Sequence, residues 1–172
     1  MKDIAERASV TKGTIYLYFE SKEAVFKSLV RESIGGQIER ITRTFAAFEG
    51  NASDLLRFAL TTINSFLQTS DRVVLPKIFL ADAGNFPELV RFYREEVIER
   101  GLGAMSGVIA RGIARGEFRE VNTEHAARLC IAPILLSVVW RTTFAATDPE
   151  PFDYDGFLQT HLDTLLRGLA KT

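Results

Sequence analysis

The chain has little that could staple, anchor or catalyse. Its single cysteine, Cys130, cannot close an internal disulfide, which suits a reducing compartment and predicts a soluble, cytoplasmic protein. No run of about 18 apolar residues offers a membrane span. Lys2, Asp3, Glu6 and Arg7 interrupt any apolar core that a signal peptide would need. The only two histidines, His125 and His161, fall on different predicted helices with no HExxH or paired-carboxylate spacing, so neither a metal site nor a cofactor is expected. Cys130 sits in the apolar run "RLCIAPI", where a free cysteine is a small core residue rather than a nucleophile. No glycine-rich phosphate loop follows a strand, because no segment alternates as a strand would. Catalysis is left without a candidate residue. Charge of one sign is lacking too: the net charge is −1, which excludes a uniformly basic coat for nucleic acid. The first 31 residues carry +2 and the remainder −3, an asymmetry too small to decide anything alone.

What the chain does have is helical periodicity. From Phe26, apolar residues recur at three- and four-residue steps through Val30, Ile34, Ile38, Ile41, Phe45 and Phe48, which predicts one long helix over 21–48 with Ser21 as N-cap and Gly35-Gly36 as a soft point. Further helices are predicted over 53–69, over 71–83, and from Pro87 to Gly116. Asn122 or Thr123 caps another over 123–145, whose interior "LCIAPILLSVVW" is apolar nearly all round and so must be covered on more than one side. "TDPEP" separates it from a last helix carrying Phe157, Leu158, Leu162, Leu165, Leu166 and Leu169. The fold class is all-α.

The first residues form a smaller pattern. "MKDIAERAS" reads as a short helix, Ser9-Val10 as a tight turn, and Thr11 as the cap of a second short helix running to about Tyr18. That is the spacing of a helix-turn-helix unit, whose second helix enters the major groove. Ile4, Val10, Ile15 and Phe19 fall inward, and Lys12 and Tyr16 share the opposite face. Lys12 can donate to guanine or to phosphate, Thr11 and Thr14 can reach phosphate or a base edge, and Gly13 permits close backbone approach. Tyr16 and Tyr18 can donate to phosphate, and Lys22 adds a charge at the start of the long helix.

The run "IAERASVTKGTIYLYFESKEAVF", Ile4 to Phe26, resembles the DNA-binding signature of the TetR/AcrR family of transcriptional regulators. The rest of the chain resembles that family in helix number and in the joint "GEFREVNTEHAA". Two departures stand out. Ser9 occupies a turn position where the family usually has glycine, and the family's usual first helix has no counterpart before Lys2, so Ile4, Ala8, Ile15 and Phe19 are expected to lie partly open.

The resemblance implies a DNA-binding domain over 1–31 and a helical ligand-binding and dimerisation domain over 32–172. It implies a homodimeric repressor on a palindromic double-stranded operator, released by a small, largely apolar effector. The alternative is an all-helical small-molecule-binding or scaffold protein whose motif does not bind DNA. Aromatic residues at helical spacing serve as core or as cavity wall. Phe66, Phe79, Phe92, Tyr93 and Trp140, from four successive helices, are the expected ligand-binding set. The apolar face offered by Leu135, Val139, Leu158, Leu162, Leu165 and Leu169 is the expected dimer interface.

Overall fold

The computed structural model describes residues 1–69 and 86–171, so the helix expected over 71–83 and the candidate Phe79 lie outside the described residues. Two short helices open the chain, α1 (Lys2–Arg7) and α2 (Lys12–Tyr16). The turn between them is a Schellman motif: the Val10 amide donates to the Ala5 carbonyl at 3.0 Å and the Ser9 amide to Glu6 at 3.2 Å. That closure needs a left-handed residue, and Ser9 supplies it at φ 55°, at a cost of about 1 kcal/mol that glycine would avoid. The same pair of bonds closes the helix that ends at Ala114, where Gly116 sits at φ 71° without that cost.

Two long helices follow the same plan, each broken once by a π-turn. The first runs as α3 (Lys22–Val30), a π-turn at Arg31–Gly35, and α4 (Gly36–Ala47). Ser21 caps it, accepting from the Ala24 amide at 3.1 Å, and the expected soft point at Gly35-Gly36 is where the π-turn falls. The second runs as α6 (Pro87–Tyr93), a π-turn at Arg94–Glu99, and α7 (Arg100–Ala114). Between them lies α5 (Ala52–Thr69), whose first turn Asn51 caps by accepting from the Asp54 amide at 2.7 Å. The chain closes with α8 (Thr123–Thr143), capped by Asn122, and α9 (Tyr154–Leu169), capped by Asp153. Among the described residues the only β pairing is an isolated bridge between Phe118 and Ala170.

The core gathers in the second part of the molecule, where α5 (Leu55, Leu56, Leu60), α7 (Met105, Ile109), α8 (Cys130, Ile134) and α9 (Leu158, Leu162) meet. Each fully buried large side chain there contributes about 1.5–3 kcal/mol. Gly112 lets α7 approach its neighbours: a Cβ there would lie 2.3 Å from the Phe118 ring and 2.8 Å from Ala52. In contrast, α1 and α2 bury only Ala5 and Ile15. Ile4 and Phe19 are half-buried, Ala8 is open, and Val10, read from the sequence as inward, is 42% exposed in the turn that follows the left-handed Ser9.

One reading from composition needs correcting. At 21 residues α8 is long and apolar enough, by length and composition alone, to cross a membrane, and a third of its most apolar window is buried in the fold. Its charged residues Glu124, Arg128 and Arg141 lie toward its ends, which is why a strict search for an uninterrupted apolar run passes over it.

Two contacts position the N-terminal unit. At the far end of α4, Arg111 donates to the carbonyls of Phe45 (3.2 Å) in the last helical turn and of Phe48 (2.5 Å) and Gly50 (3.1 Å) beyond it. In the middle, the two π-turns pack together. There the Arg31 guanidinium lies 5.0 Å and the Lys27 ammonium 5.6 Å from the centroid of the Phe92 ring, and Arg31 pairs with Glu96 at 3.8 Å.

Candidate nucleic-acid interface and ligand groove

The second short helix presents the face that its sequence pattern requires. Thr11 is its N-cap, accepting from the Thr14 amide at 3.1 Å, and the two threonine hydroxyls lie 2.8 Å apart. Both are therefore engaged with each other, which fixes the start of the helix. Lys12, Gly13, Tyr16, Tyr18 and Lys22 are exposed, and Thr14 is half-buried. The Lys12 ammonium lies 5.7 Å from the centre of the Tyr16 ring, so the two residues form one cationic and aromatic face. The helix ends at Tyr16, short of Tyr18, whose amide donates to the Ile15 carbonyl at 3.0 Å in a tighter closing turn. Leu17 itself, which the sequence reading passed over, is 82% exposed between two exposed tyrosines. Its position beside the motif was the available signal, since a leucine with no core partner adjoins the same face.

Phe79 lies outside the described residues, and of the other four aromatic candidates for ligand binding only Phe66 lines a groove. Phe66 lines an open groove of about 730 Å³ between α4 and α5, together with Gln37, Arg57, Phe58, Thr61 and Ser65. Phe92 is buried in the joint between the two π-turns, its ring turned toward α3 rather than toward the groove. Tyr93 lies beside it in sequence, with burial raising its phenol above the ordinary range, and is not part of the groove wall. Trp140 is 38% exposed at the outer end of α8, where its indole donates to Asp148 at 2.8 Å and packs on Phe144 at 5.2 Å. Helical spacing identified these residues as inward on their own helices. It could not say which neighbour each would meet.

The expected dimer face divides in the same way. Leu158, Leu162 and Leu169 belong to the core of the single chain, and Leu165 packs against that core. Leu165 is only partly buried and keeps some outward surface. On α8, in contrast, Leu135 is exposed and Val139 is half-buried, and they adjoin Leu129 at 65% and Leu136 at 58% exposure. His161 meets the Cys130 carbonyl at 2.9 Å through Nε2, while His125 is exposed at the start of α8. Among the described residues no three metal-ligating side chains come together.

Residues 1–29 match the family described as "Bacterial regulatory proteins, tetR family", and residues 50–152 match the family described as "Tetracyclin repressor-like, C-terminal domain". The Fatty acid metabolism regulator protein of Bacillus subtilis (strain 168) is 27% identical over 166 residues, which cover 96% of this chain and 82% of that protein. The crystal structure of the transcriptional regulator FadR from Bacillus subtilis in complex with stearoyl-CoA superposes with a TM-score of 0.74 at 25% identity, covering 96% of this chain and 86% of that one. A TetR-family regulator from Mesorhizobium loti shares the fold, with a TM-score of 0.74 at 20% identity over 99% of this chain and 86% of its own.

Proposed function

The chain belongs to the tetR family of bacterial regulatory proteins and is a transcriptional regulator, not an enzyme; from that premise we propose that it is a repressor that binds a palindromic operator as a homodimer and is released by a long-chain acyl thioester of coenzyme A. The observation that carries the DNA-binding part is the exposed face of α2, where Lys12 and Tyr16 stand together on a helix whose start is fixed by the Thr11 cap. In this reading Lys12 reads a base edge, Gly13 allows close approach, and Thr11, Thr14, Tyr16, Tyr18 and Lys22 hold the phosphates. The DNA-binding domain ends near residue 31, at the first π-turn. A second copy covers the outward stripe of α8, and two-fold symmetry then requires inverted half-sites in the operator. The effector class follows from the stearoyl-CoA bound by the similar FadR structure. A ligand that favours a form with wrongly spaced recognition helices weakens DNA binding by its differential affinity.

Fluorescence anisotropy with DNA from upstream of the chain's own gene tests this. The parent should bind an inverted repeat and lose it on addition of stearoyl-CoA. Lys12→Ala should relax preference at one base position per half-site by about 1–3 kcal/mol, while Lys22→Ala should weaken all sequences alike and flatten the salt dependence. Identical sequence profiles and salt slopes for both variants and the parent would overturn the assignment of roles.

A further inference from the structure

The groove between α4 and α5 has two unlike walls. Along α5, Phe58 and Phe66 are eight residues apart with Thr62 between them, which makes one aromatic row, and Arg57, Thr61 and Ser65 make a polar row beside it. Phe58 is 45% exposed, a ring left with a free face. On the α4 side, Arg40 donates to Oε1 of Gln37, which brings a second guanidinium to the groove's edge and leaves the Gln37 amide nitrogen as a donor. The one acid in the wall among the described residues, Asp54, is tied to Asn51, whose Nδ2 donates to it at 2.8 Å. Arg43, one turn along, pairs with Glu39 at 3.3 Å, but neither Arg40 nor Arg57 has a carboxylate partner among the described residues.

Two guanidiniums without carboxylate partners among the described residues, an exposed ring, and a row of hydroxyls form a set of partners for a phosphorylated nucleotide. Planar guanidinium forks match phosphate oxygens, an aromatic face stacks a purine base, and hydroxyl and amide groups reach ribose and the remaining oxygens. A purely apolar effector would leave both arginines unused. We propose that this groove seats the adenine nucleotide end of a coenzyme A thioester, with Arg40 and Arg57 on its phosphates and Phe58 against its base. The assignment rests on the acyl thioester reading of the effector and locates one end of that molecule.

Isothermal titration of the full chain with stearoyl-CoA, free coenzyme A and sodium stearate tests it, alongside Arg57→Gln, the double variant Arg40→Gln/Arg57→Gln, and Phe58→Ala. All three side chains are solvent-exposed, and thermal melts confirm that each variant is folded. Affinity for stearoyl-CoA and for coenzyme A should fall roughly tenfold for each guanidinium removed, with a similar fall for Phe58→Ala, while stearate is unaffected. Equal affinity of parent and double variant for the thioester overturns the groove assignment, as does a parent that binds neither thioester nor free coenzyme A. Stearoyl-CoA that binds in an arginine-dependent way but leaves the operator complex intact supports the groove and overturns the effector reading instead.

Discussion

Helices α8 and α9 are neighbours of similar apolar content, yet they dispose of it in opposite ways. On α9 the leucines at 158, 162, 165 and 169 fall on one stripe, and Asp155, Gln159, Asp163 and Arg167 occupy the other side. That stripe faces the core of its own chain, and the outer face is polar. Helix α8 is apolar all round: Ala127, Cys130, Ile134 and Val138 are buried, while Leu129, Leu135, Leu136 and Trp140 point outward. A helix that turns its one apolar stripe to its own core keeps a mostly polar face outward. Only a helix apolar on more than one side keeps a face in reserve.

Breaking the inner side should have the largest effect. Leu162 is 1% exposed, and Leu162→Ala should cost about 2–5 kcal/mol, read as a lowered midpoint in denaturant or heat. A loss below 1 kcal/mol would mean that α9 does not seal the core as described. The outer side should respond differently. Leu136→Glu should leave the secondary structure intact but shift sedimentation from dimer toward monomer, a weakening of about 2 kcal/mol or more if the residue lies at the interface centre. An unchanged dimer would move the interface off α8.

The smallest effect sharpens the contrast within α8 itself. Cys130 is fully buried next to the open Leu129, and burial pushes its thiol up to about 12. Thiol reagents at pH 8 should therefore label it only as fast as the chain unfolds. Because the folded thiol keeps its proton when the unfolded one, near 9, has lost it, this group's contribution to stability is intact below pH 9 and declines as pH rises toward 12. Rapid labelling of the folded chain at neutral pH would show that the inner face of α8 is open.

Much of the architecture was legible because its signals are local. Ser21, Asn122 and Thr11 cap the helices that their positions announced, and the π-turn falls at the adjacent glycines. The missed features depend on contacts distant in sequence. Arg111 meets carbonyls more than sixty residues away, and nothing near it in the chain signals that role. Arg57, Thr61 and Ser65 lie on the exposed side of α5, and only Gln37 of α4 across from them turns that side into one wall of a groove. Phe92 is buried, and its neighbours include two cations, Lys27 on α3 and Arg31 in the π-turn, that nothing beside it in the chain announces.

The clamp at one end of the first long helix and the π-turn in its middle also give that helix a mechanical advantage. With Arg111 fixing the carbonyls beyond α4, any rotation at the π-turn is delivered to the other arm, the nine residues of α3. That arm is roughly 13 Å long at 1.5 Å per residue, so turning it by about 10° swings its far end, and the recognition helix beyond, by roughly 2 Å. A hydrogen bond is made or lost over about 0.5 Å, so a movement too small to disturb the packing of Phe92 is amplified to several times the tolerance of a base contact.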